Sequence, residues 1–204
     1  MHPKDCGFCR GLSPNKLAAL TSGSGSLHEG WFQSFDTSQE LWIVISHLEL
    51  VSRNLFSARL LDNFGDEFFR DGMGKLFPED VARLNRARQH AVKRSLKDES
   101  CSRIIENLNF GFWTRLFTKR YESTFWAPIL KSCLCSNAPR KRSVLEARFR
   151  QALELRNRIA HHETILKPRF EGALESQLEL LSWISPDVHQ ELQTRYFGSL
   201  HSVE

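Results

Sequence analysis

Residues 143–162 constrain the fold most strongly, because they contain neither glycine nor proline and repeat their apolar side chains at helical spacing. Spacings of three and four residues predict an amphipathic helix that packs its apolar face against other helices. No segment of the sequence sustains the alternation of apolar and polar residues that predicts a half-buried strand. The sequence therefore predicts an all-α protein. The apolar face of this helix consists of Val144, Leu145, Phe149, Ala152, Leu153, Ile159 and Ala160.

Capping and stop residues divide the rest of the sequence into further predicted helices. Ser13 and Pro14 predict a short helix through Leu20, because serine accepts from exposed amides and proline tolerates the first helical position. Residues 36–40 offer several N-cap candidates for a helix that runs to about Leu61 and stops at Asn63-Phe64-Gly65. The remaining helices are predicted over residues 78–97, 98–109, 110–130 with a break near Lys119, 169–183 and 185–196.

The chain length of 204 residues suits one globular domain with its own core. The first thirty or so residues show little periodicity and include the run Thr21-Ser22-Gly23-Ser24-Gly25-Ser26, which is typical of a flexible joint. We therefore predict a partly flexible extension over residues 1–35 and a single helical domain over residues 36–204. The dense aromatic residues at positions 110–126 indicate core rather than a base-stacking platform.

The composition excludes several classes of protein. The longest apolar run, near residues 41–45, is far too short to cross a bilayer. The N-terminus lacks a basic stretch followed by an apolar core and a small-residue cleavage site, so we expect a cytoplasmic protein. Five cysteines, an odd number, fit reduced thiols better than a disulfide framework.

The basic residues are distributed unevenly. The net charge is only +4, but residues 140–169 contain nine basic and three acidic side chains, and a second basic cluster lies at residues 83–97. Such clusters occur both on nucleic-acid-binding surfaces and on ordinary solvated helix faces. The charge distribution therefore permits RNA binding without establishing it.

The segment Arg156-Asn157-Arg158-Ile159-Ala160-His161-His162 contains the residue types that cleave RNA. An imidazole can take a proton from a ribose 2′-hydroxyl or give one to the leaving 5′-oxygen. A guanidinium can hold the phosphate through two parallel hydrogen bonds, and Asn157 can orient an imidazole or the phosphate. This chemistry requires no metal or cofactor and leaves a 2′,3′-cyclic phosphate. The competing interpretation is that cationic residues simply favour the negative end of the helix dipole.

The spacing within this segment sets a geometric condition. On a regular helix Arg156 and His161 would point about 140° apart, and His162 would lie about 120° from Arg156. A shared site therefore needs the helix to end or deform here, or needs residues from a second chain.

The stretch Leu155-Arg156-Asn157-Arg158-Ile159-Ala160-His161-His162-Glu163 resembles the signature of HEPN domains, in which a histidine follows an arginine and a polar residue. The double histidine followed by glutamate is similar to the Abi-like (abortive infection) branch. Three other stretches agree in order and rough spacing, so the likeness covers roughly residues 41–186. They are His47-Leu48-Glu49-Leu50-Val51-Ser52-Arg53-Asn54, Asn109-Phe110-Gly111-Phe112-Trp113 and Tyr121-Glu122-Ser123-Thr124-Phe125-Trp126.

The resemblance implies a HEPN-like helical bundle that forms a homodimer, with the arginine and histidine segments of two chains facing each other across a cleft. It also implies an endoribonuclease in a toxin or phage-defence context, with an antitoxin or small RNA as a further partner. HEPN toxins that an antitoxin modifies carry a tyrosine two residues after the histidine, where this sequence has Glu163. The implied catalytic residues are Arg156, Asn157, His161 and His162, and the implied RNA contacts are Arg158, Arg53, Asn54 and Lys167.

Three alternatives remain open at this point. Glu49, Arg53 and Asn54 either line the implied cleft or include a buried ion pair that braces the helices. Cys6 and Cys9, together with Cys133 and Cys135, suggest a structural zinc site, although the second pair is closer in sequence than usual zinc ligands. The whole segment also suits a non-catalytic module that binds RNA or dimerises, because binding a phosphate and cleaving next to it use the same side chains.

Overall fold

The computed structural model of the chain describes residues 12–22, 26–95, 100–166 and 170–198. All regular secondary structure in these ranges is helical, which confirms the predicted all-α class for the part of the chain described. The α-helices are α1 (Pro14–Thr21), α2 (Leu27–Phe64), α3 (Glu67–Asp71), α4 (Pro78–Ser95), α5 (Cys101–Asn107), α6 (Phe110–Arg115), α7 (Arg142–Ala160), α8 (Ala173–Ile184) and α9 (Pro186–Leu192). Short 3₁₀ or π turns occupy Lys119–Tyr121, Glu122–Trp126, Leu130–Cys133 and Gln193–Phe197.

The longest helix, α2, begins well before the predicted start at residues 36–40, so that prediction is wrong. The helix is capped by Ser26, whose hydroxyl accepts from the backbone N–H of Glu29 at 3.2 Å, and the two residues have the spacing of a capping box. Thr37 lies inside the helix and donates its hydroxyl to the carbonyl of Gln33 at 2.8 Å. A threonine that satisfies its hydroxyl in this way is compatible with a helix interior as well as a cap.

Other predicted helix ends agree with the structure. The Ser13 side chain accepts from the backbone N–H of Lys16 and caps α1, and Gly65, with φ 69°, ends α2. A glycine at this end avoids the steric cost that a Cβ would meet at positive φ.

The helix predicted from residue 169 begins later, at Ala173, because Gly172 with φ 71° turns the chain immediately before it.

The central aromatic residues form the core, as predicted. Phe117 stacks on Phe149 of α7 with ring centroids 4.5 Å apart, and Phe56 of α2 meets both rings edge-on at 5.2 and 5.9 Å. Edge-to-face and offset-stacked contacts of this kind add to the hydrophobic stabilisation of burying the rings. The fully or almost fully buried residues of the predicted aromatic block are Phe110, Phe112, Trp113, Leu116, Phe117, Tyr121, Phe125, Trp126, Ile129 and Leu130.

A buried carboxylate, Asp80 at the start of α4, ties the polar residues around this core together. Its side chain is 1% exposed and accepts from the guanidinium groups of Arg115 and Arg120 and from the hydroxyl of Tyr121. Burial, together with the hydrogen bond to Asp80, raises the pKa of Tyr121 to about 12. Arg83 lies 3.5 Å from the same carboxylate, so the buried charge is compensated by three cations and a neutral phenol.

Helix α2 runs through the middle of the bundle and packs against α1, α6, α7 and α8. Besides the main core, a smaller apolar cluster joins α2 to the end of α7 and to the chain that follows it. Its buried members are Leu41, Ile45, Leu155, Ile165 and Ala173. Within the described ranges, no helix combines the length and the apolar content needed to cross a membrane.

Candidate active site at the end of α7

Helix α7 ends inside the segment from Arg156 to His162, which contains the predicted catalytic residues. Ala160 is the last helical residue, and His161 caps the helix with φ −94° and ψ 10° while its N–H donates to the carbonyl of Asn157 at 3.0 Å. His162 has φ 53°, in the left-handed region. The spacing of Arg156 and the histidines required the helix to end here or a second chain to take part. The helix does end here, and helical geometry no longer fixes the direction of His162.

The backbone after α7 forms a Schellman-type helix end around His162. The N–H of His162 donates to the carbonyl of Ile159 at 3.0 Å, and the N–H of Glu163 donates to the carbonyl of Arg158 at 2.9 Å. Glycine is the usual residue at the left-handed position of this motif, and a side chain with a Cβ is strained there. Strained residues concentrate at functional sites, so the histidine at this position supports a role for it.

Two contacts hold the turn in place from other helices. The side-chain ammonium of Lys16 in α1 donates to the backbone carbonyl of His162 at 2.9 Å. The backbone N–H of Ile165 donates to the hydroxyl of Ser34 in α2 at 2.9 Å, and the Ile165 side chain is fully buried. The position of the two histidines is thus fixed by α1 and α2 as well as by α7.

Arg156 lies in the last turns of α7 and pairs with Glu49 of α2. Its Nε lies 3.3 Å from a carboxylate oxygen of Glu49, and the two side chains are 33% and 25% exposed. The pair links α7 to α2, but it is partly exposed rather than the buried ion pair of the sequence alternative. The other guanidinium nitrogens of Arg156 form no hydrogen bond with the described residues, so that edge remains available to a phosphate.

The polar residues around Arg156 face solvent. Asn157, His161 and His162 are all exposed. None of these three side chains forms a hydrogen bond with another described residue. Two imidazoles and one amide are therefore accessible to a large substrate at the same end of α7.

The four residues implied as RNA contacts differ in their surroundings. Arg158 pairs with Glu154 at 3.1 Å and with Glu163 at 3.0 Å, so its charge is already balanced by two carboxylates. Arg53, one helical turn after Glu49 on the same face of α2, donates to the side chain of Asn54 at 3.4 Å. Asn54 itself is exposed. Lys167 lies outside the described residues.

Ion pairs also balance other arginines of the basic segment at residues 140–169. Arg142 pairs with Glu122 and Glu146, and Arg148 pairs with Glu179. The excess charge counted from sequence is therefore partly neutralised by carboxylates from the same and other helices.

A groove of about 460 Å³ adjoins His162, and the predicted helix boundaries gave no indication of it. It lies between α1, α2 and the chain after α7, and three of its walls are Trp31, Phe35 and Trp42 of α2. These residues recur at spacings of four and seven, which is one helical face. The recurrence of these aromatic residues is present in the sequence, but it indicates one helical face only if α2 begins after Ser26.

The described cysteines, Cys101, Cys133 and Cys135, carry free thiols. Cys133 is buried and its thiol donates to the carbonyl of Ile129 at 3.5 Å, while burial raises the pKa of Cys101 to about 11. The described residues contain no group of three or more histidine, cysteine, aspartate or glutamate side chains able to hold a metal ion. Cys6 and Cys9 lie outside the described residues, so the zinc hypothesis stays untested.

Comparison of the chain with protein-family models, with curated proteins and with solved structures found no match.

Proposed function

We propose that this chain is a metal-independent endoribonuclease of the HEPN type. The observation that carries the proposal is that α7 ends within the Arg156 to His162 segment and leaves its arginine and both histidines accessible. His162 also occupies the left-handed position of the helix end, and strain at that position makes it a candidate functional residue. The sequence resemblance to HEPN and Abi-like proteins points to the same activity.

Each residue has a defined role in the proposed reaction. His161 removes the proton from a ribose 2′-hydroxyl, and the resulting oxygen attacks the adjacent phosphorus. The bond to the 5′-oxygen breaks, and that oxygen leaves with a proton supplied by an imidazole, from His162 or from a second chain. Arg156 balances the charge that develops on the phosphate, with Glu49 holding its Nε side. The products are a 2′,3′-cyclic phosphate and a 5′-hydroxyl.

We further propose that the active form is a homodimer with a site shared between two chains. On a regular helix Arg156 and His161 would point about 140° apart, and a second chain is one way to bring an arginine and a histidine to the same phosphate. A second copy would supply the missing group. A role in toxin action or phage defence, with an antitoxin or small RNA as partner, follows from the family resemblance.

The proposal is tested by end-group analysis of single-stranded RNA incubated with the protein in EDTA. We expect the wild type to produce cyclic phosphate and 5′-hydroxyl ends, and His161→Ala to reduce the rate by about 10²–10⁴-fold. His90→Ala, which removes an exposed histidine of α4, is the matched control and should cleave as the wild type does. Arg156→Ala should weaken both cleavage and binding, whereas Arg150→Ala, an exposed arginine of the same helix, should change little.

Two outcomes would overturn the ribonuclease. One is a soluble wild type that binds RNA and leaves it intact, which would favour the non-catalytic RNA-binding module. The other is cleavage that persists in the double variant His161→Ala with His162→Ala.

For the shared site, mixing Arg156→Ala with His161→Ala protein should restore cleavage, because a mixed dimer contains one complete set of groups. No recovery after verified subunit exchange would show that each chain works alone.

A further inference from the structure

The groove beside His162 is lined mainly by residues that have no part in the reaction described above. Its volume of about 460 Å³ falls in the range of small-ligand sites, and its lining includes His162 and Glu163. We propose that this groove holds an unpaired RNA base next to the scissile phosphate. The proposal rests on the proposed function, because it assigns the groove to the same substrate.

The walls of the groove suit a planar aromatic ligand. Trp31 and Phe35 stack with ring centroids 5.9 Å apart and an interplanar angle of 29°. Phe35 is 50% exposed and Trp42 is 41% exposed, so both rings present apolar surface to the groove and to solvent. Bases of single-stranded RNA stack on exposed aromatic rings of this kind irrespective of sequence.

The charge at one end of the groove complements a nucleotide. Lys16 lines the groove, its ammonium donates to the carbonyl of His162, and it lies 5.8 Å from the centre of the Trp31 ring. Within the described ranges Lys16 forms no ion pair with a carboxylate. A cation between an aromatic groove and His162 is placed to attract a backbone phosphate.

The rim of the groove supplies hydrogen-bonding groups for the edge of a base. The exposed amide of Gln39 both donates and accepts, and the hydroxyl of Ser38 donates to the carbonyl of Ser34 while its lone pairs remain able to accept. Thr164 adds a further hydroxyl. Polar groups around an apolar floor distinguish a base from an aliphatic chain, which would leave these groups without partners.

The experiment measures binding without cleavage. In the His161→Ala background, fluorescein-labelled hexamers of adenylate and of uridylate are titrated with full-length protein and followed by fluorescence anisotropy. Phe35→Leu and Trp42→Leu should each raise the Kd about tenfold. Phe32→Leu is the matched control, because Phe32 is an exposed aromatic of the same helix outside the groove lining, and it should change the Kd less than twofold. Lys16→Gln should raise the Kd. It should also reduce the slope of log Kd against log salt concentration by about one, the value expected for one phosphate contact.

Each possible result decides the matter. Equal Kd values for Phe35→Leu, Trp42→Leu and Phe32→Leu overturn the base site. Light scattering on the same variants detects the other occupant: if Phe35→Leu but not Phe32→Leu lowers the molecular mass, the groove contacts a second copy and the proposal fails. If the wild type cleaves RNA but the groove variants bind RNA as tightly as before, only the base-site proposal is wrong. If the groove variants bind RNA more weakly but the wild type leaves RNA intact, only the ribonuclease proposal is wrong.

Discussion

Aromatic side chains form two clusters in this protein, and the two clusters differ in their relation to solvent. Around Phe56, Phe117 and Phe149 every ring is fully buried and contacts other rings. On the face of α2 that carries Phe35 and Trp42, the rings are about half exposed and border an open groove. The first cluster completes the fold, whereas the second leaves apolar surface uncovered beside His162.

The charged residues of the two regions also differ in how fully they are buried and paired. Asp80 is buried, and three arginines and a tyrosine hydroxyl surround its carboxylate. Glu49 is partly exposed and engages Arg156 only through Nε, so part of that guanidinium remains unpaired. A densely packed region with mostly paired polar groups contributes to stability, and a region with exposed apolar surface and unpaired groups can bind a ligand.

The largest expected effect comes from the same substitution made in each cluster. Phe149→Ala should lower the free energy of unfolding by about 3–5 kcal/mol, because it leaves a cavity among stacked rings. Phe35→Ala should lower it by less than about 1 kcal/mol, since the ring is already half exposed. Urea unfolding followed by far-UV circular dichroism measures both. Similar losses at the two positions would show that the groove aromatics are part of the core after all.

A smaller effect is expected at the strained turn. His162→Gly should raise the free energy of unfolding by about 0.5–1 kcal/mol, because glycine adopts φ 53° without strain. His161→Gly, at φ −94°, should instead lower it by a similar amount, since glycine only adds unfolded-state entropy there. Chemical denaturation compares the two variants. If both destabilise the protein, the His162 side chain contributes packing that offsets its strain.

The smallest effect concerns the pH dependence of stability. Burial lowers the pKa of His189 below its unfolded value, so the folded state disfavours the protonated form. The stability contributed by neutral His189 is present above the unfolded pKa of about 6.5 and is lost as the pH falls through the folded pKa. The wild type should therefore lose slightly more stability between pH 7 and 5 than His189→Gln. His90→Gln, at an exposed histidine, should follow the wild type, and identical curves for all three proteins would contradict the prediction.

Local signals in the sequence predicted several features that the structure confirms. Ser13 caps α1 and Gly65 ends α2 because both act through backbone bonds within a few residues. The dense aromatic block is buried because few other places exist for so much apolar surface. The helix predicted over residues 143–162 ends at Ala160, two residues before the predicted end. The start of α2 was predicted wrongly, since two groups of capping residues compete and only the packing of residues 27–36 decides between them.

The sequence by itself predicted the helical class, several helix ends, the buried aromatic block and the residues of the proposed active site, whereas Ala160, predicted on the buried face of α7, is exposed and Leu155 is buried instead. Only the tertiary structure decided how those residues are held and what lies beside them. Arg156 meets Glu49 across 107 positions of the chain, and Lys16 meets His162 across 146. The groove likewise needs three remote segments together. Short-range capping and periodicity act between neighbours in sequence, whereas contacts over such distances form only when the core has brought the helices together.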